Sequence, residues 1–183
     1  TTTIAEGQIE IINSLIAQRV DAIAVSANDA DALVPSLKKA QQRGIKVISW
    51  DSGVAKAGRQ LHLNPSSNSL IGEMNVQLAA DAIKVKGKSS GTFAILSATP
   101  TSTNQNIWID EMKKSLSKFP NLTLVDTVYG DDLADKSFRE ATALIKNHPD
   151  LDVIVAPTTV GILAAAQAVS DLGEAADYIV HDI

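Results

Sequence analysis

Short apolar runs alternate with longer segments of helical periodicity along almost the whole chain. The apolar runs cover residues 21–28, 45–52, 60–65, 91–98, 122–130, 151–157 and 177–183. Apolar residues recur every three or four positions in an opening segment and in segments 29–44, 68–86, 103–119, 135–147 and 159–172. Strict alternation of short strands with amphipathic helices is typical of βαβ units on a parallel sheet. The pattern therefore predicts a doubly wound α/β architecture.

The first apolar run is rich in small and β-branched residues and ends in polar ones, "DAIAVSAN". Such a composition predicts a strand that is buried on both faces of its sheet. The helix before it carries Ile9, Ile12, Ile16 and Val20 at helical spacing. The opening of the chain is therefore predicted to be a helix followed by a buried strand.

One step breaks the alternation. The segment "QLHLNPSSN" follows a polar loop containing Gly53 and Gly58, with no helical pattern between this loop and the preceding strand. We expect the chain to pass here from one lobe to another, which gives an N-terminal lobe over residues 1–64 and a C-terminal lobe over residues 65–183.

Composition and charge exclude several classes of protein. The 183 residues are 45% hydrophobic and 20% charged, which is enough to bury a core. The formal net charge is −5 and the charges are scattered, whereas nucleic-acid binding needs a concentrated cationic face. There is no cysteine, so disulfides, thiolate metal sites and thiol nucleophiles are excluded. No apolar run approaches the roughly 20 residues of a membrane-spanning helix, and we expect that the opening "TTTIAEGQ" is not a signal peptide.

Polar side chains are concentrated where the predicted strands end. These ends read "SAND", "SWDSG", "SATPTSTNQN", "VYGDD", "APTTVG" and "VHDI". Ligands of open parallel sheets bind outside the carboxyl ends of the strands, where the loops converge. Carboxylates and amides each bind neighbouring hydroxyl groups, and a ring covers an apolar sugar face. The strand ends therefore suit a neutral polyhydroxylated ligand.

Asp51 and Trp50 are the first candidates, because a carboxylate and an indole stand where a plain turn would suffice. Asp51 could instead cap the following turn or pair with a lysine. The strand alternation could turn Trp50 away from Asp51, into the core or the lobe boundary.

The helix starts offer further candidates, each with a structural alternative. Asn104 and Gln105 open a helix, where they could cap it or bind ligand. Trp108 lies one turn further on and fits a core position as well as a cleft wall. Thr158 and Thr159 begin another helix, and capping accounts for one of them.

Apparent signatures of catalysis and metal binding do not fit their context. "GKSSG" at residues 87–91 matches a serine nucleophile pattern but follows a helix and precedes a strand, the reverse of the required order. The three histidines are isolated, and the aspartates at 131, 132 and 135 suit a helix N-terminus. No nucleophile, base and orienting partner occur as a set. We therefore expect a protein that is not an enzyme and carries no metal or cofactor.

The chain resembles the type I periplasmic sugar-binding proteins of ABC transporters, and among them the rhamnose-binding proteins, with the autoinducer-2-binding proteins as a sister group. The resemblance runs to about residue 177 and rests on "GQIEIINSLIAQRVDAIAVSAN", "SWDSGVAKAGR", "LNPSSNSLIGEMNVQLAA", "ILSATPTSTNQNIWIDEMKK", "VYGDDLADKSFREA" and "VIVAPTTVGILAAAQAV". It implies two hinged α/β lobes, a monosaccharide such as a rhamnose-like deoxyhexose in the cleft, a membrane permease as partner and a periplasmic location.

The resemblance also implies site residues. The ligand positions of the sister group correspond to Asp51, Asn104, Gln105, Pro157 and Thr159. Asn104 stands for an acid and Thr159 for an alanine of the autoinducer-2 pattern, which favours a sugar over that signal. Asp182 resembles the last cleft aspartate of pentose and hexose receptors.

The resemblance implies further segments at both ends, since such proteins begin with a strand, helix and strand before this chain starts and continue beyond residue 183. The strand at 22–27 would then have an unpaired edge, which must be covered. We therefore expect this form to associate with a second copy or to bind sugar weakly. Two alternative functions share the fold: an autoinducer-2 receptor and the effector-binding domain of a sugar-responsive repressor. We expect the repressor to be the less favoured of the two, because these 183 residues contain no basic helix-turn-helix.

Overall fold

A computed structural model describes residues 4–173 and 179–181. The helices are α1 (Ala5–Ala17), α2 (Val34–Gln42), α3 (Asn68–Val85), α4 (Thr103–Ser115), α5 (Ala134–Asn147) and α6 (Thr159–Asp171). The strands are β1 (Ala22–Val25), β2 (Lys46–Trp50), β3 (Leu61–Leu63), β4 (Gly91–Ser97), β5 (Leu122–Tyr129), β6 (Val153–Val155) and β7 (Ile179–His181). Short 3-10 helices cover Lys56–Gly58 and Leu116–Lys118. The predicted α/β fold class is confirmed.

The chain divides into two compact units, and each has its own parallel sheet. The first unit comprises Thr1–Ser67 with Thr101–Ile107, and the second comprises Asn68–Pro100 with Trp108–Ile183. The strand order is β1-β2-β3 in the first sheet and β5-β4-β6-β7 in the second. All pairings are parallel. The lobe boundary that the sequence places between residues 64 and 65 stays a prediction.

The sheet of the second unit is covered on both faces. Alternate residues of β4 point in opposite directions, so Ala94 and Leu96 pack against α5 and α6. Phe93 and Ile95 pack against residues of α3 and α4 on the other side. Because both faces are buried, β4 and β6 read as nearly continuous apolar runs.

The sheet of the first unit is covered on one face only, within the described residues. In the core of this unit, apolar residues of α1 and α2 pack against Ile23, Val25 and Val47. The opposite face, called here the open face, consists of Ala22, Ala24, Lys46, Ile48, Trp50, Leu61 and Leu63, all exposed. The prediction that β1 is buried on both faces is therefore wrong. Both helices pack on the same side, so Ala22 and Ala24 are left exposed.

A buried carboxylate ties the amino end of β6 to the neighbouring loop. Asp152 is 2% exposed, and its Oδ2 accepts a hydrogen bond of 3.0 Å from the Thr92 amide. The ammonium groups of Lys88 and Lys86 approach Oδ1 to 2.5 and 3.6 Å. Burial raises the pKa of Asp152, but the Lys88 hydrogen bond, the Thr92 amide and the two lysine charges outweigh burial and lower the pKa below its ordinary value.

Among residues 4–173 and 179–181, no helix combines the length and the apolar character needed to cross a bilayer.

The Asp152 network predicts an acid-sensitive contribution to stability. We expect Asp152→Asn to lower the free energy of unfolding by about 1 to 3 kcal/mol near neutral pH, because a charged acceptor is lost. Folding lowers the pKa of Asp152, so its contribution is present above the unfolded pKa and disappears as pH falls through the folded one. Urea unfolding of both proteins from about pH 7 to about pH 2 measures this difference.

Asp150→Asn is the matched control, since Asp150 is exposed two residues away. Asp150 is only a weak charge partner of Lys88, so the unfolding free energy of this variant should stay within about 0.5 kcal/mol of that of the unchanged protein at each pH. A difference between Asp152→Asn and the unchanged protein that stays constant down to pH 2 would contradict the proposed charge network.

Candidate functional site

In the first unit, Asp51 follows directly after β2 in a left-handed conformation, with φ of 53°. Aspartate enters this region more readily than most residues because its short side chain bonds locally. The Asp51 amide donates to the carbonyl of Leu63 at 3.1 Å, which anchors the turn to the end of β3. The backbone thus fixes where the half-buried carboxylate lies.

Two polar side chains contact the Asp51 carboxylate, one at each oxygen. Asn104 donates from Nδ2 to Oδ1 at 3.3 Å, and Ser26 donates from Oγ to Oδ2 at 3.4 Å. Each carboxylate oxygen has two lone pairs, so each keeps capacity for a further donor. The trio therefore presents a negatively charged acceptor beside an amide and a hydroxyl.

Hydrogen bonds within its own segment orient the Asn104 amide. Its Oδ1 accepts hydrogen bonds from the backbone N–H of Gln105 at 2.8 Å and from Ser102 Oγ at 3.2 Å. The Nδ2 group is therefore directed to Asp51. Gln105 itself is 7% exposed. The structure thus places Asn104 against Asp51, and it buries Gln105, the residue that follows Asn104.

Buried hydroxyl groups flank this pair along the chain. Ser52 is 6% exposed, and within the described residues neither its Oγ nor Thr103 Oγ1 has a hydrogen-bond partner. A buried hydroxyl without a partner is costly, at about 1 to 3 kcal/mol. Ser52 follows Asp51 and Thr103 precedes Asn104, so each of these two buried hydroxyls belongs to a residue next in sequence to a member of the Asp51–Asn104 pair.

Gln8 braces the loop that carries Ser26. From α1, its Nε2 donates to the Ser26 carbonyl at 2.8 Å, and its Oε1 accepts from the Asn28 amide at 2.9 Å. Sequence reasoning identified the end of β1 as polar but missed both Ser26 as the partner of Asp51 and Gln8 as a brace. A lone glutamine on a helix carries no signal in the sequence.

Asp29 stabilises the turn that follows. Its Oδ1 accepts from the amides of Ala32 and Asp31 at 2.8 and 2.9 Å. These two donors, with a smaller contribution from the Thr101 hydroxyl, lower the pKa of Asp29 against the opposing effect of burial. The Thr101 contact also ties segment 101–107 to the loop after β1.

In the second unit, the predicted residues Pro157 and Thr159 lie where β6 leads into α6. Pro157 is buried and Thr159 is exposed at the first position of α6. Thr158 caps the helix, because its Oγ1 accepts from the Gly161 amide at 3.4 Å. The Thr158 hydroxyl also donates to Asp132 Oδ1. Of the two threonines, the cap is thus Thr158, and Thr159 is left for another role.

The remaining candidates have different surroundings. Trp50 is 50% exposed on the open face of the first sheet. Trp108 packs against the core between β4, α3 and α4, and its indole N–H donates to Asn68 Oδ1 at 2.9 Å. Asp182 lies outside the described residues. The roles predicted for the two indoles in ligand binding stay predictions.

Over the described part of the chain, no group of three or more His, Cys, Asp or Glu side chains is arranged to hold a metal ion.

Comparison with known proteins finds similarity over nearly the whole chain. A family model described as periplasmic binding protein domain matches residues 1–182. The D-ribose/D-allose-binding protein of Pseudomonas aeruginosa is 26% identical over 94% of this chain. The D-xylose-binding periplasmic protein of Escherichia coli is 24% identical over 92%. The chain spans about half the length of these curated relatives, 54% and 51%.

Two solved structures extend the comparison. An ABC transporter solute-binding protein from Clostridium phytofermentas with bound L-rhamnose is 42% identical, with a TM-score of 0.88. The match covers 96% of this chain and 54% of that protein. LsrB from Clostridium saccharobutylicum in complex with AI-2 is 28% identical, with a TM-score of 0.93, over 98% of this chain and 58% of that protein.

The left-handed conformation of Asp51 predicts different effects of two substitutions. Both Asp51→Ala and Asp51→Gly remove the carboxylate, but only alanine brings a steric cost at φ of 53°. We expect the alanine variant to be less stable than the glycine variant by about 1 kcal/mol. Urea unfolding without ligand measures the difference, and equal stability of the two variants would refute the left-handed assignment.

Proposed function

Because the chain belongs to the periplasmic binding protein family, we propose that it is the solute-binding component of an ABC sugar importer. Its ligand is a monosaccharide, a deoxyhexose of the rhamnose type. The protein acts in the periplasm and delivers the sugar to a membrane permease. It binds without chemical conversion, in keeping with relatives named as binding proteins.

The observation that carries this proposal is the contact of Asp51 with Asn104 and Ser26. A carboxylate and an amide side by side can bind two adjacent hydroxyl groups of one sugar ring. The carboxylate accepts a hydrogen bond from one hydroxyl, and the amide accepts from or donates to the other. Charge-assisted hydrogen bonds of this kind are about twice as strong as neutral ones. A neutral polyol is therefore a better ligand for this pair than an anion, which Asp51 would repel.

The other predicted residues complete the proposed sugar site. Gln105 and Thr159 add amide and hydroxyl groups, and Pro157 adds a rigid apolar ring. Trp50 or Trp108 covers an apolar face of the sugar, and Asp182 contributes a further acceptor. That the sugar lies in a cleft between two lobes stays a prediction from the family resemblance.

A rhamnose-type ligand is supported by two observations. The rhamnose-bound relative is 42% identical. The chain also differs from the autoinducer-2 pattern at Asn104 and Thr159, where that pattern has an acid and an alanine. The AI-2-bound relative, with its TM-score of 0.93, makes AI-2 the second candidate ligand.

A thermal-shift panel tests the proposed ligand. L-Rhamnose, D-ribose, D-allose, D-xylose and AI-2 are each added to the protein and the melting temperature is measured. A ligand at about 100 times its Kd stabilises the folded state by about 2.7 kcal/mol. For a chain of this size that free energy corresponds to about 5 to 10 °C. We expect the largest shift with L-rhamnose.

Asp51→Gly should lose this shift because it lacks the carboxylate, while its backbone conformation is unstrained. Asp131→Gly is the matched control, since Asp131 is also left-handed, with φ of 55°, and its carboxylate pairs with Lys136. A rhamnose shift that persists in Asp51→Gly would refute the assigned site. No shift with any member of the panel would refute the proposed function.

We further propose that this 183-residue form associates with a second copy. Within the described residues β1 pairs only with β2, so one of its edges is open, and Leu61 and Leu63 of the open face are 61% and 63% exposed. An unpaired edge beside an apolar face is a template for pairing with another chain.

Sedimentation velocity measures this association. The unchanged protein should sediment as a dimer or larger species, and Leu63→Lys should shift it toward monomer by placing charge on the open face. Leu163→Lys is the control, because Leu163 is 69% exposed on α6 in the second unit. A compact monomer would contradict the proposed association.

A further inference from the structure

Two consecutive aspartates after β5 adopt the left-handed conformation. Asp131 has φ of 55° and Asp132 has φ of 52°. Single left-handed residues other than glycine are uncommon, and adjacent ones more so. Such conformations persist where surrounding contacts over-determine them and they concentrate at functional sites. These two aspartates lie at the carboxyl end of β5, just as Asp51 lies at the carboxyl end of β2 in the first unit.

Backbone contacts hold this loop against β4. The Gly130 amide donates to the Ser97 carbonyl at 2.9 Å, and the Asp131 amide donates to the Ala98 carbonyl at 2.7 Å. A Cβ on Gly130 would lie 2.1 Å from Ser137 Oγ, so only glycine permits this approach. These backbone contacts therefore fix the position of the loop without any contribution from the aspartate side chains.

The two aspartates have different partners. The Asp131 carboxylate pairs with Lys136 at 2.6 Å, on the same loop and helix. The Asp132 carboxylate instead accepts the hydroxyl proton of Thr158, which belongs to the next strand end. Asp132 is thus the member of the pair that connects the loop after β5 to the start of α6.

Thr158 is held from two sides by this arrangement. Its single hydroxyl proton goes to Asp132, and its Oγ1 accepts from the Gly161 amide at 3.4 Å. A Cβ on Gly161 would lie 2.5 Å from Thr158 Cγ2, so glycine is needed for the threonine to pack there. One rotamer of Thr158 is therefore selected.

We infer that Asp132 is a positioning residue for the part of the sugar site formed by Pro157 and Thr159, and this inference rests on the proposed function. Thr158 lies between those two residues, so fixing its side chain fixes the turn that presents them. Asp132 acts through Thr158 and not by contact with the sugar. Preorganising a binding turn in this way improves affinity by reducing the ordering that binding requires.

The contact with Thr158 and the backbone conformation of Asp132 affect stability in opposite directions. The Thr158 hydroxyl is buried, so its hydrogen bond to Asp132 stabilises the folded state. Glycine at position 132 would relieve the left-handed conformation. An aspartate there is consistent with strain retained for binding.

The test compares Asp132→Gly with Asp131→Gly, two variants that relieve the same backbone conformation. Calorimetric titration with L-rhamnose should show about tenfold weaker binding for Asp132→Gly, the loss expected when one hydrogen bond to a charged group is removed. Its melting temperature without sugar should stay within about 4 °C of that of the unchanged protein, because relief of the left-handed conformation offsets the hydrogen bond lost from the buried Thr158 hydroxyl. Asp131→Gly should bind L-rhamnose like the unchanged protein.

A second comparison separates positioning from direct contact. Asp132→Asn keeps an acceptor oxygen and tolerates the left-handed region, so it should recover most of the affinity. Thr158→Val should weaken binding as much as Asp132→Gly does. The double variant should lose no more than either single one, because both substitutions remove the same contact. Additive losses, or full affinity of Asp132→Gly, would overturn the inference.

Hydrogen exchange distinguishes failure of this inference from failure of the proposed function. In the sugar-free protein, the Gly161 amide should exchange faster in Asp132→Gly than in Asp131→Gly, because Thr158 is no longer held. Unchanged Gly161 exchange would overturn the positioning role whatever the ligand is. Faster Gly161 exchange in a protein that binds no sugar would support the positioning role and refute the proposed function.

Discussion

The common direction of the strands is the constraint on which the other features depend. In a parallel sheet every strand ends at the same edge, so the polar loop groups meet there and must find partners. The first unit meets this requirement by directing Ser26 and Asn104 to the Asp51 carboxylate. The second unit meets it by directing the Thr158 hydroxyl to Asp132. Each unit thus has a carboxylate, fixed by its backbone, that accepts a hydrogen bond from another loop.

The order of elements was predictable because hydrophobic periodicity is a local property. The alternation of apolar runs and helical segments gave the sequence of strands and helices to within a few residues. Examples are α3 at Asn68–Val85 and α5 at Ala134–Asn147. The α/β class followed from that alternation. The polar strand ends also indicated Asp51 and Asn104, because carboxyl ends of parallel strands converge whatever the exact packing.

Features that depend on tertiary packing were not predictable from one sequence. The burial of β1 on a single face depends on α1 and α2 packing on the same side, which no local pattern records. The brace from Gln8 to the Ser26–Asn28 loop joins residues 18 and 20 positions apart, and glutamine is ordinary on a helix. Asp132 was interpreted as a helix N-terminal acid, since its contact with Thr158 spans 26 positions. Each of these roles depends on which element lies beside which.

The left-handed residues connect folding with binding. Among the described residues, the non-glycine positions with positive φ are Arg19, Asp51, Asp131 and Asp132. The three aspartates follow β2 and β5 at their carboxyl ends. Glycine would reach the same backbone conformation without steric cost but would bring no carboxylate. An aspartate in the left-handed region has a modest conformational cost, and it places a charged acceptor at the end of the strand. The fold therefore gives up a little stability at the edge where a polar ligand would bind, and packs its strand interiors with apolar residues.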